Sequence, residues 1–428
     1  MNILLWLRKH FDALDKKWIF RSDAKITSFS MFALLQQLVT NHSNSYAKAI
    51  VKTLSPDNIM TPSAFSSKQR RRFDPAMIRE VYMDLYRETF DNKPSVECAS
   101  NAQMQFIAVD GSTLLIKRPS TGVRVYDRIA SGGYYSHLYV SVAYDMTNRV
   151  ALDCEFFDRC HERLLLQRHV NRLTPSQSQC WVMDRGYYSW GQLCFMDAHE
   201  THFVFRMPKH ICTVKHFLTG SSNDRLVSMT DTSSYSKKGN QKKTITVRLV
   251  KWTQGTSVFV LCTNLFNKEK YPISRLREIY KKRWEVESYY KTLKRTMDLE
   301  HCHTSDFLLI QQEVWTAMLT SLVARVMERQ NEVPNKTTRT NHASSISWVA
   351  ELVSQMNKRQ RKRKHKRIYQ RERFKTMSRI SQWSVHKQSR FFPRIVKHPV
   401  SCFGRNAKTE NDIKKFYNLG GLSDESWK

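Results

Sequence analysis

From Met104 onward the apolar residues fall with strand spacing. MQFIAV is an apolar run that ends at Asp110, SHLYVSVAYD alternates with period two, and RVALDCEFFD follows as a third short strand. The period then changes. ERLLLQRHVNRL has helical spacing, CWVM is a short buried strand ending at Asp184, and SWGQLCFMDAHE is a second helix before the strand THFVFRMP. The predicted order is therefore β-β-β-α-β-α-β, with an aspartate leaving the first strand and another leaving the fourth. Beyond it, VRLVKW and TSVFVLCTNL predict strands, and the polar DTSSYSKKGNQKKT predicts a hairpin tip or loop. Residues 210–272 thus form a β-rich insertion. Helical spacing returns from Ser274 to about Met297, and again over IQQEVWTAMLTSLVARVMERQ, which is expected to pack against the sheet. Near the N-terminus SFSMFALLQQLV, SYAKAIVKTL and the long stretch TPSAFSSKQRRRFDPAMIREVYMDLYRETF predict helices, the last carrying the basic cluster Lys68 to Arg72.

That strand order is the ribonuclease H-like one, in which neighbouring central strands bring their ends together. A doubly wound nucleotide-binding fold would alternate strand and helix from the start and open on a glycine-rich turn, which this chain lacks. The expected fold class is α/β: a ribonuclease H-like catalytic core, with a mixed five-stranded sheet flanked by helices, a β-rich insertion and a helical N-terminal domain. Residues 1–95 are expected to be a helical DNA-binding domain, with a helical cap on the next domain as the alternative. The catalytic domain should span 96–330, interrupted over about 210–272, and 331–428 should be a basic region for DNA binding or dimerisation.

Charge narrows the partners. Lys and Arg number 70 against 38 Asp and Glu, giving a net charge of +32. Such an excess implies a polyanion, and double-stranded DNA is favoured over a membrane because no basic amphipathic helix with an aromatic face stands out. Residues 358–375, KRQRKRKHKRIYQRERFK, hold eleven Lys or Arg and one Glu, a run suited to phosphate contact. The nine cysteines include no CxxC pair, so a zinc ribbon is not expected. MNILLW meets Arg8 and Lys9 too soon for a secretory signal, and no segment approaches the ~20 uncharged apolar residues of a membrane span. A soluble intracellular protein is the expectation.

The candidate chemistry lies in three carboxylates. Asp110, Asp184 and Glu287 are a minimal oxygen-ligand set for two Mg²⁺ ions, with Mn²⁺ able to substitute, and such a pair can activate an attacking oxygen and relieve charge on a departing one. On a regular helix Tyr280, Arg283, Glu287 and Lys294 fall within an arc of roughly 60°, which puts one acid and three phosphate-binding groups on one face. Each signal has an ordinary structural counterpart. An aspartate before glycine shapes turns, and Arg283 with Glu287 makes a simple (i, i+4) pair.

Tyr280-x2-Arg283-x3-Glu287-x6-Lys294 resembles the YREK signature of bacterial DDE transposases of the insertion-sequence-4 family. AVDGST around Asp110 and MDRGYYS around Asp184 are similar to the family's first and second acidic motifs, and TPSAFSSKQRR to a stretch common in its N-terminal regions. The resemblance covers roughly residues 25 to 320 and includes a β-strand insertion between the second aspartate and the glutamate. It implies that Asp110 bridges two metals while Asp184 and Glu287 hold one each. Arg283 and Tyr280 would bind the phosphate beside a flipped base, and Lys294 the terminal phosphates, with Lys291 and Arg206 as further DNA contacts. Trp252 is the candidate aromatic wedge from the insertion, with core packing as its plain alternative. The implied activity is cutting at the ends of an insertion sequence and joining of the 3′-OH to target DNA, with a homodimer in the synaptic complex. The alternatives are a regulator that binds DNA without cutting and a nuclease without strand transfer.

Overall fold

The computed structural model describes residues 2–18, 26–40, 45–91, 104–116, 126–128, 134–157, 161–173, 178–230, 244–304, 306–331, 338–358 and 382–384. In chain order the first helices are α1 (Ile3–Trp18), α2 (Ser28–Thr40), α3 (Tyr46–Thr53), the single turn α4 (Arg70–Arg72) and α5 (Pro75–Tyr86). Strands β1 (Gln105–Leu115), β2 (Tyr126–Arg128), β3 (Tyr134–Asp145) and β4 (Val150–Phe157) follow. Next come α6 (Glu162–Arg172), β5 (Gln179–Met183), α7 (Trp190–Ala198), β6 (His202–Arg206) and α8 (Cys212–Thr219). The insertion strands are β7 (Asp224–Thr230), β8 (Thr244–Gln254) and β9 (Ser257–Thr263), and the chain then enters α9 (Ile273–Lys282) and α10 (Trp284–Lys291). After these stand α11 (Phe307–Asn331), the short β10 (Thr338–Thr340), α12 (His342–Lys358) and β11 (Gln382–Ser384). The polar 231–243 stretch, expected as a hairpin tip, lies outside the described residues. So does nearly all of the basic 358–375 run, Lys358 being the last residue of α12.

The chain folds as two compact units. One comprises Phe90–Ser112 and Tyr139–Tyr290; the other comprises Met1–Thr89, Thr113–Leu138 and Lys291–Lys428. In the first, the expected five strands are present in ribonuclease H-like order: β4 and β1 flank β3, then β5 and β6 follow. β1, β5 and β6 run parallel, while β3 and β4 are antiparallel. The insertion strands do not build a separate sheet. They extend the same one through β9, which pairs antiparallel with β6, and on to β8 and β7. Cys180, Trp181, Val182 and Met183 of β5 are all buried, as a central parallel strand covered on both faces requires.

Two expected boundaries are corrected. β1 does not end at Asp110 but runs on to Leu115, so this acid lies within a strand. The helix expected from Ser274 to about Met297 is interrupted at Arg283, where Arg283 N–H donates to the Tyr280 carbonyl and Val286 N–H to that of Arg283, each three residues back. It then widens into a π-turn over Thr292–Thr296. Phase arithmetic for a regular helix therefore does not carry from Tyr280 to Lys294.

In the second unit the apolar α11 packs on α2, α5 and α12. Gln36 donates to Thr320 at 3.0 Å and Gln37 to the Ala350 carbonyl at 3.1 Å, tying α2 to both C-terminal helices. By length and composition α11 could cross a membrane, contrary to the sequence expectation. Since 83% of its apolar window is buried within the protein, it is the unit's core helix. Asp74 caps α5 by accepting from Ala76 N–H, with Pro75 in the first turn where no donor is needed. The neighbouring basic cluster is not uniformly outward-facing, because Arg70 is fully buried.

Candidate active site

Strand register assembles the site. Ala108 pairs with Val182 and Val182 with Val204 in three adjacent parallel strands. Two residues further along the chain stand Asp110 within β1, Asp184 just past the end of β5 and Arg206 at the end of β6, and the two-residue repeat of side chains carries all three toward one face. Neighbouring strands lie about 4.8 Å apart, so this row is close enough for direct interaction. Arg206 Nη1 is 3.6 Å from Asp184 Oδ1.

Residues of α9, of α10 and of the junction between them complete the cluster. The Tyr280 hydroxyl donates to Asp184 Oδ1 at 3.0 Å. The Arg283 guanidinium places Nη2 at 2.9 Å from Glu287 Oε1 and Nη1 at 3.7 Å from Asp110 Oδ2. Glu287 and Asp110 flank Arg283, which also acts on Asp184 electrostatically; the Arg283 side chain is only 4% exposed, while those of Asp110, Asp184 and Glu287 remain 21%, 34% and 31% exposed. Arg283 Nε is buried without a hydrogen-bond acceptor.

The two aspartates differ in proton affinity for identifiable reasons. Burial pushes Asp110 up to about 6, with Arg283 and the Gly111 N–H opposing and the charges of Glu287 and Glu162 adding to the rise. Burial also raises Asp184, but the Arg185 N–H, Arg283, the Tyr280 hydroxyl and Arg206 outweigh it and hold this carboxyl below its ordinary value. Burial, with the Asp184 charge beside it, raises the Tyr280 phenol to about 12, so Tyr280 is a neutral donor at physiological pH.

The donor chemistry suits a hard divalent cation: three partly exposed carboxylates with no sulfur or imidazole among them. As the side chains stand, no group of three His, Cys, Asp or Glu residues among those described is close enough to hold a metal ion. The positive charge between these acids belongs to Arg283.

The other sequence candidates fall as follows. Trp252 lies on β8, half-buried, stacked on Phe259 with centroids 5.3 Å apart and planes 7° from parallel. The Arg206 guanidinium covers that same Phe259 ring at 4.7 Å, so Trp252 connects through Phe259 and Arg206 to Asp184. Lys294 belongs to the other unit, where Nζ donates to the Thr113 carbonyl at 2.6 Å and lies 3.6 Å from Glu300. Burial lowers the Lys294 ammonium, with Glu300 opposing. Lys291 is the last residue of α10 and is exposed.

Further residues shape the site beyond those the sequence singled out. The buried Tyr290 hydroxyl lies 2.9 Å from the Asp110 carbonyl and 3.0 Å from that of Val140, fastening α10 to β1 and β3. Gly111 is required by close approach, because a Cβ there would lie 1.7 Å from the Tyr139 hydroxyl. That hydroxyl donates to Glu162 at 3.3 Å. Trp284 is 58% exposed beside Arg283, and an aromatic flanked by charged residues in a helix could have been marked from sequence.

A family model described as a transposase DDE domain matches residues 101–323, more than half of the chain. The chain is 27% identical over 165 residues to the transposase InsG for insertion sequence element IS4 from Escherichia coli strain K12. That match covers 37% of this chain and 35% of the relative, so it spans about a third of the relative's length. Among solved structures, a cryo-EM structure of piggyBac transposase in a synaptic complex with hairpin DNA aligns at a TM-score of 0.48 and 11% identity. The alignment covers 96% of this chain and 89% of that one.

Proposed function

Since the chain belongs to the transposase DDE-domain family, we propose that it cuts DNA at the ends of an insertion sequence and joins the freed 3′-OH ends to target DNA. The observation that carries this reading is that Asp110 and Glu287 flank the Arg283 guanidinium while Asp184, held by Tyr280 and Arg206, lies within its electrostatic reach. Bound by these three carboxylates, two Mg²⁺ ions, or Mn²⁺ in their place, would supply the charge that activates an attacking oxygen and stabilises a departing one.

The chain's own groups do the rest. The Arg283 and Arg206 guanidiniums suit bidentate contact with DNA phosphates, and the neutral Tyr280 hydroxyl donates to Asp184 and fixes its rotamer. Tyr290 pins the Asp110 backbone, so the acid's position does not depend on its side-chain contacts alone. Lys294 and Lys291 add compact positive charge for terminal phosphates, and Trp252 on Phe259 offers an aromatic surface for an unstacked base. A net charge of +32 supports tight, salt-dependent DNA binding. Joining two ends at once calls for a homodimer, acting in the bacterial cytoplasm on nucleoid DNA.

The test uses a duplex cloned from the DNA flanking the gene, incubated with purified protein and Mg²⁺ or Mn²⁺. Nicking at the element's end and joined products in a target plasmid are expected. Binding without cutting would leave a regulator, and cutting without joined products a nuclease.

A further inference from the structure

Most charged clusters in this protein are closed. Arg248 is buried with Asp224 and the Leu265 and Tyr271 carbonyls. Lys251 caps α8 through three carbonyls. His169 joins Asp153 to Ser141 with no solvent access. The Ser321–His342–Glu328 chain has the connectivity of a nucleophilic triad, but Ser321 sits inside α11, where the backbone N–H groups are engaged in the helix and cannot form an oxyanion hole. Among the described residues the cluster around Arg283 is open to solvent: its guanidinium contacts Glu287 and Asp110 and acts on Asp184 electrostatically, all three acids are partly exposed, and its own Nε has no acceptor.

We infer that Arg283 is the resting counter-cation of the acid cluster, and that its guanidinium opposes divalent-ion binding until a DNA phosphate draws it away. This rests on the proposed function for the identity of the metal and the anion. The geometry supplies the opposition itself. A unit positive charge 2.9 Å from Glu287 and 3.7 Å from Asp110 occupies the attraction that a cation would otherwise use. It also spends one Glu287 oxygen as a hydrogen-bond acceptor. The unsatisfied Nε makes this resting state incomplete, so a phosphate oxygen offers the guanidinium an acceptor that the protein does not. The consequence is reciprocal: DNA that engages Arg283 tightens metal binding, and metal that displaces Arg283 tightens DNA binding by the same factor. A protein free of DNA is thereby kept weakly metallated.

The experiment is titration of the DNA-free, full-length protein with Mn²⁺, followed by electron paramagnetic resonance, in wild type, Arg283→Gln and Arg283→Lys. Arg283→Gln is expected to bind Mn²⁺ about tenfold more tightly than wild type, and Arg283→Lys to stay near wild type because it keeps the charge. Equal or weaker binding by Arg283→Gln overturns the inference. Glu287→Gln distinguishes this failure from that of the functional reading: if it leaves Mn²⁺ binding untouched, the acids are not the metal site and both fall. Should Arg283→Gln fail to fold, the intact protein labelled with ¹⁵Nε-arginine gives a second readout. The Arg283 resonance, identified by its loss in Arg283→Lys, must shift as Mg²⁺ is added, and an unmoved resonance overturns the inference.

Discussion

Arg70 in the helical unit and Arg283 in the sheet unit are both buried guanidiniums beside carboxylates, yet their surroundings are opposite in kind. Arg70 donates to Gln312 at 3.1 Å, to the Tyr46 hydroxyl at 3.1 Å, and to the Leu309 carbonyl and Glu313 at 2.8 Å each. Every nitrogen has an acceptor. Burial would raise its partner Glu313, but Arg70 and His303 overcome this and hold the carboxyl below its ordinary range. Around Arg283 the acids outnumber the guanidinium, their side chains reach solvent, and one donor is left over. A satisfied buried pair gives a helix junction a unique geometry. An unsatisfied one stores unmet attraction for ligands, which is how a binding site differs from a scaffold.

The comparison is most sharply tested by removing acids. Asp110→Ala or Glu287→Ala should reduce DNA cleavage on the order of a thousandfold or more, about 4 kcal/mol of barrier, with little loss of folding stability. Cleavage assays beside denaturant melts separate the two effects, and retention of near wild-type cutting would remove these residues from the chemistry. Arg70→Met should do the reverse. It leaves Glu313 buried and uncompensated, so a stability loss of about 3–5 kcal/mol is expected in urea denaturation, whether or not metal is present.

A pH experiment probes the same contrast at intermediate size. The Asp110 carboxyl, about 6 in the folded chain against an ordinary 3.8, binds more protons folded than unfolded between those values. Its ionisation therefore subtracts stability as pH rises through about 6. Asp110→Asn should stabilise the metal-free protein by about 1–3 kcal/mol at neutral pH, and the gain should fade at pH values below the ordinary carboxyl range. A gain independent of pH would deny that burial of a charge is its cause. The smallest effect belongs to Tyr290→Phe, which should cost about 1 kcal/mol of stability and slow cleavage about tenfold by loosening the Asp110 backbone. Unchanged cleavage with reduced stability would make Tyr290 a packing residue only.

Strand order was legible because period-two and period-3.6 patterns are local properties of the chain. The Arg283–Glu287 pair was equally legible, since two residues four apart on a helix are neighbours whatever surrounds them, and they meet at 2.9 Å. The alternative reading of that pair as an ordinary ion pair was also visible. The Asp110 contact of the same guanidinium joins residues 173 positions apart and has no local trace.

What tertiary structure alone decided was register and partnership. Asp110, Asp184 and Arg206 come toward one face because Ala108, Val182 and Val204 pair across three strands, and a slip of one residue would have turned each side chain to the other face. Nothing in MQFIAVDGS marks that β1 continues past its acid, because the continuation depends on pairing with other strands. The apolar face of α11 announced burial but not its partners, and α2, α5 and α12 supplied them. Hydrophobic burial is non-directional, so composition and period determine that a face is covered, while the competition among all available surfaces determines by what.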